Sequence, residues 1–141
     1  MMFKRSKYGA KKTIANWIKF DSKIEADYYL YLLDLKNSWE VKAIYLQPRF
    51  QLLEKFIHNW KKYQSICYVW DFKVEYSDWT TQIVDTKGMP TNEAKLKKKM
   101  FHYYHPDLDL VWLVKHKWQR VGFEENQKRI RNNKKLKRVN Q

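Results

Sequence analysis

Glycine and cysteine are scarce in this chain of 141 residues, and each scarcity excludes a class of site. Three glycines cannot form the GxxxxGK loop that cradles nucleotide phosphates or the GxGxxG turn of dinucleotide-binding folds. The single cysteine, Cys67, rules out an internal disulfide and a zinc site built from several thiolates. A reducing, cytoplasmic compartment suits such a chain.

Long apolar runs are also absent from the sequence. No run approaches the roughly 18 residues that a membrane-spanning helix needs, and no signal-peptide stretch follows the basic N-terminus. We therefore expect a soluble, intracellular protein that has no membrane partner.

Large hydrophobic side chains, by contrast, are abundant. Apolar residues make up 44% of the chain and aromatic residues 17%, including 7 Trp and 10 Tyr. Disordered chains contain few aromatic residues, so this composition predicts a packed core. The length fits one domain.

The net charge of +14 is concentrated at the two ends of the chain. Residues 1–20 contain six basic residues and no acidic one, and residues 115–141 contain ten basic and two acidic residues. Two cationic ends around a neutral body are typical of a protein that binds a polyanion, and nucleic acid is the leading partner. Solvated tails are the simpler alternative. We divide the chain into a basic N-terminal arm (1–20), a core (21–115) and a basic C-terminal tail (116–141).

Apolar residues at helical spacing predict two helices. The first follows Asp21-Ser22 and covers Ile24–Leu35. The second begins at a capping Asn92 and ends at Tyr104. Its inward stripe is predicted to consist of Leu96, Met100, Tyr103 and Tyr104.

Apolar runs predict strands on either side of the second helix. Gln47-Pro48 separates Val41–Leu46 from Phe50–Ile57, which form two strands or one bent strand. The nearly continuous apolar run Leu108–Val114 predicts a last strand that is covered on both faces.

The region between them predicts a β-hairpin that carries charged side chains. Alternation over Ile66–Tyr76 indicates one continuous strand, and Thr80–Lys87 returns from it. Asp85 and Lys87 lie on one face, and antiparallel pairing brings Asp71 beside Asp85 if the register is right. The element order is αβββαβ, which defines an α/β fold.

Adjacent carboxylates indicate a metal site. Two carboxylates repel each other unless one is protonated or a cation bridges them, and a hard divalent cation such as Mg²⁺ is the simplest bridge. A neighbouring lysine can stabilise charge that develops on a phosphoryl group. The hairpin therefore predicts metal-dependent phosphoryl chemistry.

These residues resemble the PD-(D/E)xK nuclease superfamily over about residues 20 to 115. The shared motifs are Asp71-Phe72, Val84-Asp85-Thr86-Lys87-Gly88 and a glutamate, Glu25, on the preceding helix. The later motif His105-Pro106-Asp107-Leu108-Asp109 is most similar to that of phage endonucleases which, like archaeal resolvases, cut Holliday junctions. Trp70 stands where the named motif has proline, and Asp85 replaces the commoner glutamate.

The resemblance implies a restriction-endonuclease-like αβββαβ core, with a mixed sheet flanked by helices, that hydrolyses DNA to leave a 5′-phosphate. Glu25, Asp71, Asp85 and Lys87 are the implied catalytic residues, with Lys87 assisting the attacking water. The first three, with the main-chain carbonyl of Thr86, are the implied ligands of one or two Mg²⁺ ions, for which Mn²⁺ can substitute. A homodimer that acts on branched DNA is also implied, as is a phage gene expressed in the bacterial host cytoplasm.

Simpler explanations exist for the same residues. Ser22 and Glu25 have the spacing of a capping box, and Asp85 with Lys87 can be an ordinary ion pair on one strand face. A noncatalytic DNA-binding protein with a nuclease-like fold, or a nuclease acting on linear DNA or RNA, therefore stays open as an alternative function.

Basic residues outside the hairpin are predicted to contact DNA phosphates. They are Lys4, Arg5, Lys11, Lys12, Lys95, Lys98 and Lys99. For the three lysines of the second helix, a solvated helix face is the alternative. Trp79, at the hairpin turn, is a candidate for stacking on unpaired bases.

Overall fold

A computed structural model describes residues 11–87 and 91–114, apart from the side chains of Lys87 and Val114. The chain divides into two compact units. Of the described residues, 11–34 belong to one unit, and 35–87 and 91–114 to the other. No helix in these ranges is long and apolar enough to cross a membrane. The arm and tail boundaries at residues 20 and 115 stay predictions.

The first unit opens with a short hairpin where the sequence suggested an arm. Strands β1 (Thr13–Ala15) and β2 (Ile18–Phe20) pair antiparallel. Phe20 is buried, and its ring centroid lies 5.1 Å from that of Tyr29 on the following helix. That helix, α1 (Lys23–Asn37), covers the predicted range and buries Tyr28, Tyr31 and Leu32, as the helical spacing indicated.

The second unit contains a four-stranded mixed sheet. The strands of the whole unit, in chain order, are β3 (Val41–Leu46), β4 (Arg49–Leu53), β5 (Phe56–His58), β6 (Lys61–Tyr63), β7 (Ile66–Val69), β8 (Phe72–Tyr76), β9 (Thr81–Lys87) and β10 (Asp109–Val114). The sheet has the order β10-β9-β8-β3, with β10 parallel to β9 and the other neighbours antiparallel. Helix α2 (Asn92–Tyr104) connects the two parallel strands. The predicted α/β class is confirmed.

The predicted continuous strand over Ile66–Tyr76 is wrong, because it breaks at Trp70-Asp71. Strand β7 pairs with β4 outside the main sheet, whereas β8 pairs with β3 inside it. The break faces Gln47-Pro48, where Gln47 has a φ of 50° and proline has no N–H to donate. Alternation alone does not reveal the break, because Trp70 and Phe72 are both buried and the period of two therefore continues through it.

Main-chain hydrogen bonds hold this kink together. The Gln47 amide donates to the carbonyl of Asp71 over 3.0 Å, and the Trp70 amide donates to the carbonyl of Pro48 over 3.0 Å. The pairing offset is the same on both sides of the kink, so β3–β4 and β7–β8 form one bent ribbon. Asp71 is thereby held at the bend by its own backbone.

Helix α2 buries a different face from the one predicted. Leu96, Tyr103 and Tyr104 are exposed, and Ala94 and Phe101 are buried instead. The prediction failed because two lysines lie on the packed face of the helix, with their ammonium groups over aromatic rings. Lys97 Nζ lies 4.8 Å from the ring centroid of Tyr68, and Lys98 Nζ lies 4.4 Å from that of Trp112. The cap is Thr91, whose hydroxyl accepts from the Ala94 amide, rather than Asn92.

The core beneath α2 brings together the sheet and the bent ribbon. It consists of Leu52, Trp70, Ile83, Phe101 and Leu110. The Phe101 ring meets Trp70 edge-on at 5.6 Å between centroids. The kink is therefore packed against the helix that follows β9.

Four tryptophans occupy exposed turns rather than the core. Trp17, Trp39, Trp60 and Trp79 have φ values of 63° to 66° and are at least 84% exposed. Left-handed backbone of this kind favours glycine and is strained for a bulky residue. Packing therefore does not explain these side chains.

Candidate active site

The predicted carboxylates lie where β8 begins and β9 ends. Phe72 on β8 pairs with Val84 on β9, and one further step of the same register sets Asp71 opposite Asp85. Because β9 and β10 are parallel, their carboxyl ends meet at this same end of the sheet. Ligand sites of α/β sheets commonly lie at such ends.

The carboxylate of Asp71 is fixed by Thr86. The Thr86 amide and the Thr86 hydroxyl both donate to Asp71 Oδ2, each over 2.7 Å. A side-chain carboxylate thus takes the place that a main-chain carbonyl would occupy in a regular ladder. Hydrogen bonds to a charged acceptor are the stronger kind, so the orientation of Asp71 at the end of β9 is well defined.

Replacing Thr86 by valine is expected to lower the free energy of unfolding by about 1–2 kcal/mol, because the partly buried carboxylate loses a donor. Urea denaturation followed by circular dichroism measures the change. Thr86→Ser keeps the hydroxyl and is the matched control. Equal unfolding midpoints for the valine and serine variants would show that this hydrogen bond contributes nothing.

Asp85 is a buried charge-bearing residue in an apolar strand. It is 2% exposed and follows the fully buried Ile83 and Val84. Its partner on the parallel strand β10 is Trp112. Burying a carboxylate costs free energy that an apolar residue would not. Asp85 is therefore a candidate for a chemical role at this end of the sheet.

The oxygen donors at this end of the sheet fit Mg²⁺. Asp71 and Asp85 offer carboxylates, and Thr86 offers a main-chain carbonyl, all of them hard ligands. Within residues 11–87 and 91–114 there is no group of three or more His, Cys, Asp or Glu residues arranged around a metal. Mg²⁺ usually keeps several waters and needs only one or two carboxylates.

Glu25 lies in the other compact unit, on the first turn of α1. Its amide donates to the Ser22 hydroxyl over 3.2 Å, and that hydroxyl donates to Glu25 Oε1 over 3.0 Å. The local geometry is that of a helix cap, as the spacing of the two residues suggested. Its role as a metal ligand stays a prediction.

Other predicted residues are described only in part. Lys87 ends β9, where its main chain pairs with Val114, and its role in activating water stays a prediction. Lys11 and Lys12 are exposed, with Lys12 Nζ 3.9 Å from Asp21 Oδ1. Lys4, Arg5 and the basic tail lie outside the described residues.

The three helix lysines predicted to contact DNA occupy different environments. Lys95 and Lys99 are exposed, whereas Lys98 is half-buried over the Trp112 ring. Burial lowers the pKa of Lys98, and the nearby Asp109 carboxylate partly offsets this effect. Lys95 and Lys99 are therefore the better placed of the three for phosphate contacts.

The burial of Lys98 gives a pH-dependent prediction. Its pKa in the folded state lies below the ordinary value of 10.5, so the unfolded state binds more protons as pH rises between these two values. The free energy of unfolding of the wild type should therefore increase with pH over that range. Any stability advantage that Lys98→Met has at neutral pH should shrink accordingly. Urea midpoints measured from pH 7 to about 10.5 test this, with the exposed Lys99→Met as the control. A pH-independent difference would contradict it.

Sequence reasoning missed the second role of Thr86. It assigned only the carbonyl of this residue, whereas the amide and the hydroxyl both bind Asp71. A threonine after an acidic residue is ordinary in a strand, so no local pattern marks it. The shared register of β8 and β9 would have been the signal.

Comparison with known proteins identifies a family match. Residues 5–120 match the family described as "Protein of unknown function (DUF1064)". No curated protein and no solved structure matches the chain. The chemistry of the residues at the end of β9 is thus the basis for assigning a function.

Proposed function

Since the chain belongs to the DUF1064 family, whose description names no activity, we propose a function from its site. The protein is a metal-dependent endodeoxyribonuclease of the PD-(D/E)xK type that hydrolyses phosphodiester bonds in branched DNA. One observation carries this proposal: Asp71, anchored by Thr86, stands in register with the buried Asp85 on the neighbouring strand.

The order of elements supports the proposal. Without the N-terminal β1–β2 hairpin and the four strands of the ribbon extension, β4 to β7, the described chain runs α1, β3, β8, β9, α2, β10, which is the order αβββαβ. The last strand joins β9 in parallel through α2, and the sheet is mixed. A restriction-endonuclease-like core has the same order and the same kind of sheet.

Each residue has a separate role in the proposed reaction. Asp71 and Asp85 hold the cation, with the Thr86 carbonyl as a third donor. The Thr86 amide and hydroxyl keep Asp71 in position, which limits rearrangement during the reaction. Lys87 assists the attacking water and stabilises charge that develops on the phosphoryl oxygens.

Mg²⁺, when bound, supplies the Lewis acidity that polarises the phosphodiester. The chain supplies the carboxylate of Asp85, which is only 2% exposed and lies where electrostatic interactions are stronger than in water. It also supplies the apolar strand residues around that carboxylate, which exclude solvent from one side of the site.

The charge distribution supports DNA as the partner. The net charge is +14, concentrated at the two ends of the chain, while Lys95 and Lys99 add exposed cations on α2. Binding should weaken steeply with salt because phosphate contacts release counterions. A homodimer with two sites suits a symmetric four-way junction, whose two continuous strands are equivalent.

The test is cleavage of an end-labelled four-way DNA junction by the full chain in Mg²⁺ or Mn²⁺. Linear duplex, single-stranded DNA and RNA are incubated in parallel, and Lys87→Ala is compared with Lys36→Ala, a matched loss of an exposed charge at the end of α1. We expect paired symmetric nicks in the junction that disappear with chelation and with Lys87→Ala but persist with Lys36→Ala.

Other outcomes separate the alternatives. Equal cutting of linear DNA or RNA would retain the nuclease and overturn the preference for branched DNA. Tight DNA binding with no metal-dependent cutting would identify a noncatalytic DNA-binding protein with a nuclease-like fold.

A further inference from the structure

The β5–β6 hairpin is the least buried element of the second unit. Among the strands that the structure describes, its two strands pair only with each other, and all six of their residues are exposed. Phe56 and Tyr63 stack across the strands at 4.8 Å between centroids, with 5° between the ring planes. A lone two-stranded hairpin has little stability of its own, so this cross-strand pair is its main support.

Trp60 occupies the tip of the hairpin and contributes nothing to packing there. It is 99% exposed, and the turn residues Asn59 and Trp60 have φ values of 47° and 64°. Turns with two such residues favour Asn-Gly, because glycine adopts this backbone without steric cost. A glycine would serve the turn better than the indole does.

The same arrangement occurs a second time, in the first unit. The β1–β2 hairpin turns at Asn16-Trp17, with φ values of 48° and 65°, and Trp17 is 97% exposed. Both turns read Asn-Trp followed by a lysine two residues later, Lys19 in one and Lys62 in the other. Two independent occurrences make an incidental tryptophan a poor explanation.

The charge around the β5–β6 tip favours nucleic acid over a protein partner. Lys55, Lys61 and Lys62 flank the aromatic side chains, and Lys61 Nζ lies 5.2 Å from the ring centroid of Tyr63. Protein interfaces are enriched in aromatic residues but depleted in lysine. Exposed aromatic rings beside cations are typical of surfaces that bind single-stranded nucleic acid.

We propose that the β5–β6 hairpin binds unpaired nucleotides, with a base stacked on Trp60 and phosphates contacted by Lys55, Lys61 and Lys62. The choice of DNA as ligand rests on the proposed function. The ribbon that carries the hairpin leaves the sheet at the kink where Asp71 lies. The hairpin thus belongs to the same bent ribbon that holds Asp71.

Trp60→Gly separates binding from folding, because glycine suits the turn while the indole is lost. Trp39→Gly is the matched control, since Trp39 is also exposed with a φ of 63° but lies at the opposite end of the sheet, before β3. Affinity is measured by fluorescence anisotropy of a labelled oligothymidine of about 15 nucleotides, in chelator so that no cleavage occurs. Thermal unfolding confirms that both variants are folded.

We expect Trp60→Gly to weaken binding about tenfold, the effect of losing one stacked base, and Trp39→Gly to leave it unchanged. The loss should be smaller for a fully paired duplex. Equal affinity of the two variants would overturn the proposal. The proposal would also be overturned if Trp60→Gly dissociated an oligomer in sedimentation and left the affinity for oligothymidine unchanged. That result would show that the hairpin contacts protein. The anisotropy assay measures binding alone. If Trp60→Gly weakens binding but the wild-type protein cuts no DNA in the separate cleavage assay, the proposed nuclease function is overturned and the binding role of Trp60 is retained.

Discussion

Asp85→Asn is expected to reduce metal-dependent cleavage of a four-way DNA junction by about 10³-fold, because several kcal/mol of metal-borne stabilisation is lost. The change is isosteric and removes the charge of a carboxylate that is 2% exposed. The fold should survive, since amide and carboxylate have the same shape. The measurement is the single-turnover rate at saturating Mg²⁺.

Glu75→Gln is the matched control for this substitution. Glu75 lies on the neighbouring strand β8 and makes an ion pair with Lys73 at 3.1 Å, toward the other end of the sheet. The Glu75→Gln variant should cleave the junction at the wild-type rate. Normal cutting by Asp85→Asn would remove the buried carboxylate from the mechanism and with it the proposed metal site.

Trp70→Ala is expected to lower the free energy of unfolding by about 3–5 kcal/mol, the usual cost of truncating a fully buried aromatic residue. The indole is 0% exposed and lies within 5.6 Å of Phe101 and 4.1 Å of Tyr68, between ring centroids. Domains are stable by only about 5–15 kcal/mol, so the loss is a large share of the total. Urea denaturation followed by circular dichroism measures it.

Trp70→Phe provides the control for that loss. Among the described residues, the indole N–H of Trp70 has no hydrogen-bond acceptor, so phenylalanine removes a buried donor that is not satisfied. We expect phenylalanine to cost about 1.5 kcal/mol or less. If alanine and phenylalanine destabilise the protein equally, ring packing at the kink is not what holds the ribbon on α2.

The carboxylate pair could be predicted from sequence because it depends on short-range geometry. The turn between β8 and β9 is short, so the register follows from the turn and the alternation, and Asp71 then stands opposite Asp85. The position of Glu25 could not be predicted in the same way. A helix residue at capping distance from Ser22 satisfies local geometry whether or not it also binds a metal.

Two features of the fold were beyond prediction from periodicity. Alternation through Trp70 continues across the kink, so the pattern cannot distinguish one strand from two that share a register. The packed face of α2 includes Lys97 and Lys98, whose ammonium groups lie over the rings of Tyr68 and Trp112. A hydrophobicity pattern scores lysine as solvent-facing and therefore selects the wrong stripe.

The tryptophans in exposed turns also determine how the protein can be followed spectroscopically. Trp17, Trp39, Trp60 and Trp79 already face water in the native state, whereas Trp70 is fully buried. The emission of the four exposed indoles should therefore be red-shifted in the native state, and unfolding should change it little, because these side chains move from water to water. Their fluorescence is consequently a weak reporter of folding, but a direct reporter of any ligand that covers the turns.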